Sequence, residues 1–443
     1  MKRKNIYLLS LFSLLVFVFL QIYFSSLFPG NFFSEIGIFQ ISLITVCFLL
    51  FIVLQELPKN GIIIVICFYQ IIFVAFLYII YLFHYDSPFG YAPVDALYYH
   101  DIALKLQSMS ITNSLKYLFI NMSPGDIGFT VFLQFVYKLP VPYPVAIAKI
   151  FNIIFHLLSC YYIYKLTQLV FGEKRVSLQC LILYGINPIS IYFNASGLKE
   201  PLFALIVILS FYYLYKAYKI NSMILYTIGG VFALLTGLFR VAFPIFIFLS
   251  FSFYWFINTG GKYKIHKRFI LTIVGLCMLL IAYKIVEAEL GQKLRYDFIA
   301  IASGRLGSMP SVSDYIILTI GGVIGPFPSI NYHISNDTNK LYAVGNYFKI
   351  VFSYFFVVAT YILYNKKIKR VYPLYLSYFF NVVVLVGLAA ALDYRFLYPF
   401  IPLYFIIISY GICNYNKNKK PIYLNYIVYY TVSFAIVFIY NVR

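Results

Sequence analysis

Charge is scarce in this sequence, and acidic charge scarcer than basic. Charged residues are 11% of 443, with 14 Asp and Glu against 34 Lys and Arg. Soluble domains carry roughly 25% charged residues. So low a share, beside 63% hydrophobic residues, excludes a water-soluble globule. Cysteine is sparse too: Cys47, Cys67, Cys160, Cys180, Cys277 and Cys413 lie in apolar runs or at their ends. None form the paired spacings of a zinc or redox motif, so they read as small buried hydrophobes. Internal repeats and low-complexity tracts are absent. The formal charge of +20 would suit nucleic acid, but Lys and Arg fall in short clusters between apolar runs. That distribution is the positive-inside signature of a polytopic membrane protein, and it excludes nucleic acid as a partner.

What fills the chain is apolar runs of roughly spanning length. They cover about Ile6 to Phe24, Ile38 to Leu54, Gly61 to Phe83, Val145 to Val170, Leu178 to Phe193, Leu202 to Tyr215, Met223 to Leu238, Val241 to Ile257, Phe269 to Val286, Tyr347 to Tyr364, Tyr372 to Leu392, Phe396 to Cys413 and Tyr423 to Ile439. The expectation is an all-α, polytopic integral membrane protein, one domain over residues 1–443, with about thirteen transmembrane helices. Several runs fall short of the roughly 20 residues of a straight span, which predicts broken or extended segments. The N-terminal run has a basic start but no convincing small-residue cleavage site, and it reads as a retained first span. Clusters at Lys2 to Lys4, Lys59, Lys174-Arg175, Lys216 with Lys219, Lys262 to Arg268, Lys366 to Arg370 and Lys417 to Lys420 mark every second connection as cytoplasmic. The N-terminus is then inside, in a membrane that the Tyr, Phe, Asn and Lys bias suggests is the bacterial inner membrane.

On that topology only Glu56 and Glu173 are cytoplasmic. Glu35, Asp86, Asp95, Asp101, Asp126, Glu200, Glu287, Glu289, Asp297, Asp314, Asp337 and Asp393 lie at or beyond the outer face. Acidic residues hardly influence topology, so the bias points either to an outward-facing polar site or to a solvated rim. Two long outer (periplasmic or extracellular) loops cover that face, residues 84–141 and 287–346. In the first, Ile127 to Leu139 is too short to span and is expected as an interfacial helix.

The loop's opening stretch, GYAPVDALYYHDIALKL from Gly90 to Leu106, gathers carboxylates and rings between apolar runs. Pro93 suits a first helical turn, and Asp95, Tyr98, Tyr99 and Ile102 would then share a face. Asp95 is either a helix cap or a catalytic carboxylate; Asp101 with Lys105 reads as a surface pair. Three short outer connections carry cations: Lys199-Glu200 after Asn194-Ala-Ser-Gly-Leu, Arg240 in Phe239-Arg-Val, and Arg395 in Asp393-Tyr-Arg. Such cations suit a phosphate or pyrophosphate headgroup, although Arg and Lys also snorkel to interfaces.

These ordered pieces resemble the C-type superfamily of integral-membrane glycosyltransferases, nearest the protein O-mannosyltransferase and aminoarabinose transferase group. They are VDALYYHDIA, AKIFNIIFHLLSCYYIYKLTQLVFGEKR, INPISIYFNASGLKEPLFALIVILSFYYLY, GLFRVAFPIFIFL and YRFLYPFIPLYFIIISYG. The resemblance implies outer-face transfer of a sugar from a polyprenyl-phosphate-linked donor to a glycan or lipid acceptor among the membrane lipids. Asp95 would be the catalytic base. Lys199, Arg240 and Arg395 would hold lipid phosphate, Asp126 or Glu200 would position substrate, and Tyr98, Tyr99 and His100 would line the sugar subsite. No cofactor is required; a divalent cation near Asp95, Asp101 and Asp126 is compatible with, but not demanded by, the spacing.

Two other readings compete. Polysaccharide polymerases of the Wzy type share the polytopic plan and join repeat units carried on polyprenyl pyrophosphate, and they would use outer arginines such as Arg240, Arg295, Arg305 or Arg395. A lipid-linked glycan transporter would need ionisable groups near the midplane. Here Lys149, Lys165, Lys284 and Lys349 lie near the ends of apolar runs, where they are expected to snorkel, and only His156 sits deeper.

Overall fold

Helix boundaries follow the local chemistry of the chain. The helix Pro144–Phe171 begins on a proline, whose missing N–H costs nothing in a first turn, and stops at Gly172 in a left-handed conformation. Glu200–Ile220 repeats the pattern, with Pro201 in its first turn and a left-handed Asn221 behind it. The structure, a computed structural model, describes residues 35–90, 94–140, 142–258, 312–325, 337–389, 394–415 and 426–442. All regular secondary structure among these residues is helical.

Among the described residues six helices are long and apolar enough to cross a membrane: Phe39–Glu56, Lys59–Phe83, Pro144–Phe171, Glu200–Ile220, Val344–Asn365 and Tyr394–Asn414. A seventh crossing arises if Lys174–Gly185 and Ile189–Ser196 count as one broken span. Met223–Leu238, Phe243–Ile257 and Val428–Val437, each expected to span, are shorter apolar helices. The expected spans Ile6 to Phe24 and Phe269 to Val286 lie outside the described residues, as do Asp393 and most of the second long loop. The described fold is thus all-α with six or seven candidate spans, where the sequence led us to expect about thirteen.

The bent helix pair Lys174–Gly185 and Ile189–Ser196 interrupts the described fold. Its halves bend by 51° at Ile186-Asn187-Pro188, because Pro188 cannot donate to the preceding turn. Backbone groups freed at membrane depth must be satisfied from within the protein. Gly185 O accepts from Gln70 Nε2 at 3.3 Å and lies 3.2 Å from His156 Nε2, while Ile186 O accepts from Tyr69 at 3.3 Å and Cys47 Sγ at 3.2 Å. His156 is therefore a partner of the break. Its neighbours Gln70, Ser190 and Asn194 continue the network, with Gln70 to Ser190 at 2.7 Å and Asn194 to Gln70 at 2.8 Å.

Two expectations for lysines change. Lys149 is 4% exposed and Lys349 fully buried, so neither snorkels. Each ammonium donates to backbone carbonyls instead, Lys149 to Pro88 and Ala195, Lys349 to Gly322 and Gly325. The Lys165 ammonium lies 4.5 Å from the Tyr161 ring, and Lys284 lies outside the described residues.

Candidate functional site

The helix Val94–Leu106 carries the first site residues. Its buried side is Ala96, Tyr99, Ile102, Ala103 and Leu106, a three-and-four spacing that packs onto Ile127–Tyr137. Asp95 and Tyr99, one turn apart, both face a cavity. Tyr98 falls off that face and is 43% exposed. His100 turns the other way, its Nδ1 2.7 Å from the Tyr137 hydroxyl and its ring 5.1 Å from that of Phe89. Burial lowers the His100 pKa against an opposing pull from Asp101. Neither Tyr98 nor His100 lines the cavity.

Neighbours in sequence part company in space. Lys199 and Glu200, expected as a local charge pair, reach different partners. The Lys199 ammonium pairs with Asp126 Oδ1 and donates to Gly125 O at 2.7 Å and Phe239 O at 3.1 Å. An ammonium has three donors, so the protein engages all of them. Asp126 also accepts from the Tyr99 hydroxyl at 2.6 Å. Burial alone would raise the Asp126 carboxyl, but Lys199, the hydrogen bonds from Lys199 and Tyr99, and Arg240 together hold it below the usual carboxylate range. Burial and repulsion from Arg240 lower the Lys199 pKa, with Asp126 and Glu200 opposing. Burial, reinforced by Asp126, drives the Tyr99 phenol well up, so it remains a donor.

Glu200, its side chain only 1% exposed, accepts from Arg395 Nε at 2.5 Å, and the same guanidinium pairs through its NH1 nitrogen with Asp95. The Asp95 side chain stays 47% exposed. Glu200 Oε2 is buried with no hydrogen-bond partner. The site thus joins three carboxylates, Asp95, Asp126 and Glu200, to three cations, Lys199, Arg240 and Arg395.

Arg240 differs from the other two cations. The turn Thr236–Leu238 delivers it to the cavity wall, where its guanidinium lies 4.0 Å from the centroid of the Phe396 ring. Among the described residues no carboxylate is within ion-pair distance of it. Burial, partly offset by the charge on Glu200, lowers its pKa, yet an arginine stays protonated in proteins. It is the cation whose donors face the cavity without a carboxylate to take them.

The cavity itself holds about 390 Å³. Its lining mixes polar groups, Asp95, Tyr99, Asp126, Lys199, Arg240 and Arg395, with apolar ones, Val241, Ala242, Phe243, Phe246, Val384 and Leu385. Phe243 and Phe246 come from the helix Phe243–Asn258, and Val384 and Leu385 from Tyr372–Ala389, two helices that pack on each other. Sequence reasoning missed Asn381, Val384, Leu385 and Phe396. Asn381 lines the cavity where it meets the apolar wall and donates to Phe396 O at 3.1 Å; its only signal was a polar residue inside an apolar run. Among the described residues no group of three or more His, Cys, Asp or Glu could hold a metal ion. Asp95 and Asp126 go to separate cations, and Asp101 is exposed. Neither the models of known protein families nor the sequences of curated proteins gave a match to this chain.

Proposed function

We propose that this protein is a membrane glycosyltransferase that takes a sugar from a polyprenyl-phosphate-linked donor during cell-surface glycan assembly, working on the outer face of a bacterial inner membrane. The observation that carries the reading is a cavity lined by both charged and apolar side chains. A hydrocarbon-linked phosphate needs a cation with free donors beside an apolar wall, and Arg240 beside Phe243, Phe246 and Leu385 supplies both. The family resemblance of the ordered motifs points the same way.

The chemistry follows from the residues. Asp95 takes the proton of an acceptor hydroxyl as its oxygen attacks the anomeric carbon; the bond from that carbon to the phosphate oxygen breaks with inversion, and the lipid phosphate leaves with the electron pair. Arg240 offsets the charge on the departing phosphate. Arg395 holds the Asp95 carboxylate in place, and buried Glu200 holds Arg395. Lys199, with its donors consumed, ties the Gly125-Asp126 turn to Phe239 and so builds the wall next to Arg240. Of the three cations lining the cavity, Arg240 is the one without a carboxylate partner among the described residues, and it is the group offered to a donor phosphate. Transport draws less support, because the ammonium groups of Lys149 and Lys349 are taken up by backbone carbonyls.

The test replaces the chain by Asp95→Asn in its native cell and measures polyprenyl-linked glycans by mass spectrometry. The expected result is accumulation of carrier bearing one sugar, with normal amounts of the variant in the membrane. Carrier bearing a whole repeat unit would transfer the assignment to a polymerase, and an unchanged lipid pool would return Asp95 to a capping role.

A further inference from the structure

The site's two halves arrive on separate stretches of chain. Asp95 follows the turn at residues 86–90, and Lys199 with Glu200 follows the helix Ile189–Ser196. Both stretches converge on a lysine that the proposed chemistry does not use. The Lys149 ammonium donates to Pro88 O, seven residues before Asp95, and to Ala195 O, four residues before Lys199. The rings of Tyr78 and Phe89 lie 4.5 and 5.6 Å from it.

Smaller contacts fasten the same two segments. The hydroxyls of Tyr81 and Ser196 share a hydrogen bond of 3.2 Å, and Asn152, on the Lys149 helix, donates to Leu198 O at 3.0 Å. Gly197 adopts a positive φ of +68° beneath the Phe89 ring, and a Cβ on Gly90 would come within 2.9 Å of the Tyr81 ring. Carbonyls in the last turn of a helix have no donor within the helix, and Lys149 supplies one to Ala195. An ammonium withdrawn from water is costly unless its donors are used. An apolar side chain would fill the space without that cost, so what the lysine adds is donation.

We infer that Lys149 is a positioning residue: its single ammonium, bound to Pro88 and Ala195 together, sets the spacing between the Asp95 helix and the Lys199-Glu200 segment. The inference rests on those segments forming one site and does not depend on which reaction occurs there.

The test compares Lys149→Met with Lys149→Gln. Methionine keeps length and apolar fit but donates nothing, whereas glutamine is shorter and polar and keeps two N–H donors. A side chain that merely filled space would tolerate methionine better. The clamp requires the reverse order. Amide hydrogen exchange is read by mass spectrometry on the full-length protein in detergent, without substrate. Residues 86–90, 94–106 and 195–200 should exchange about tenfold faster or more in Lys149→Met, and less so in Lys149→Gln, with Ile401–Asn414 unchanged. In an assay with a polyprenyl-phosphate-linked sugar, kcat should fall in the same order while KM holds. Wild-type exchange in Lys149→Met, or a milder effect there than in Lys149→Gln, overturns the inference. If Lys149→Met does not accumulate, Lys149→Leu, equally without donors, takes its place: faster exchange in both segments than in Lys149→Gln supports the clamp, and exchange no faster than in Lys149→Gln overturns it. Because exchange needs no substrate, a failed transferase reading and a failed clamp give different results.

Discussion

Lys349 and Arg240 are both cations set among apolar helices, and they are treated in opposite ways. Around Lys349 every contact closes the site. Its ammonium donates to Gly322 O at 2.9 Å and to Gly325 O, Tyr378 donates to Gly322 O at 2.6 Å, Tyr404 donates to Val323 O at 2.8 Å, and the Tyr404 ring lies 4.8 Å from the charge. The lysine and two phenols thereby cap the C-terminal carbonyls of the helix Val312–Ile324, where a positive charge also complements the helix dipole. Arg240 instead rests on one aromatic face and keeps its donors toward a cavity. The difference teaches that a charge among membrane helices signals a ligand through its uncommitted donors. Its mere presence does not, although a buried ionisable group invites that reading.

The comparison can be broken from the active side first. Asp95→Asn keeps size and much of the hydrogen bonding while removing the base, so transfer should fall about a hundredfold or more with unchanged thermal stability. Near wild-type turnover would end the reading of this carboxylate as catalytic. Arg240→Ala comes next. Hydrogen bonds to charged groups are worth about 1.5–3 kcal/mol, so binding of a short-chain polyprenyl phosphate, measured by titration calorimetry, should weaken roughly ten- to hundredfold.

Lys349→Met should show the mirror image of Arg240→Ala. Methionine fills the space, but Gly325 O loses its donor, which costs about 1–3 kcal/mol for a buried acceptor. The thermal midpoint in detergent should drop while the affinity for polyprenyl phosphate holds. Weakened binding in Lys349→Met comparable to that in Arg240→Ala would erase the distinction between the two cations.

How much of this was legible depended on whether the signal was local. Apolar runs, the Pro and Gly helix ends, and the Asp95, Lys199, Arg240 and Arg395 positions are all read from nearby residues, and the structure brings those four side chains together around one cavity or its ion pairs. Partner choice was not local. Lys199 and Glu200 are adjacent, yet one reaches Asp126, 73 residues away, and the other Arg395, 195 residues away. Tyr98 and His100 failed to join because a helix face of five buried positions is set by packing against Ile127–Tyr137, which no spacing within Gly90 to Leu106 specifies. The enclosed lysines were misread for the same reason. Snorkelling is the default for a lysine near a helix end, and only the tertiary fold brings carbonyls from a broken or ending helix within reach. The apolar lining residues Val384 and Leu385 could not be told from lipid-facing surface in a run that is hydrophobic throughout.

The smallest effect tests the meaning of the acidic bias itself. Asp101 sits on the same helix as Asp95, six residues on, which at about 100° per residue turns it some 240° around the axis. It is exposed, and it does not line the cavity. If the carboxylates on this side of the molecule act merely as a solvated rim, Asp95 and Asp101 are equivalent, and either substitution should leave transfer and lipid binding alike. If the cavity is the site, Asp101→Ala should change kcat/KM by no more than about twofold, the scale of an ordinary surface substitution, while Asp95→Asn lowers transfer about a hundredfold or more. Equal losses in the two variants would mean that the general negative field of this face, and no particular carboxylate, sustains activity.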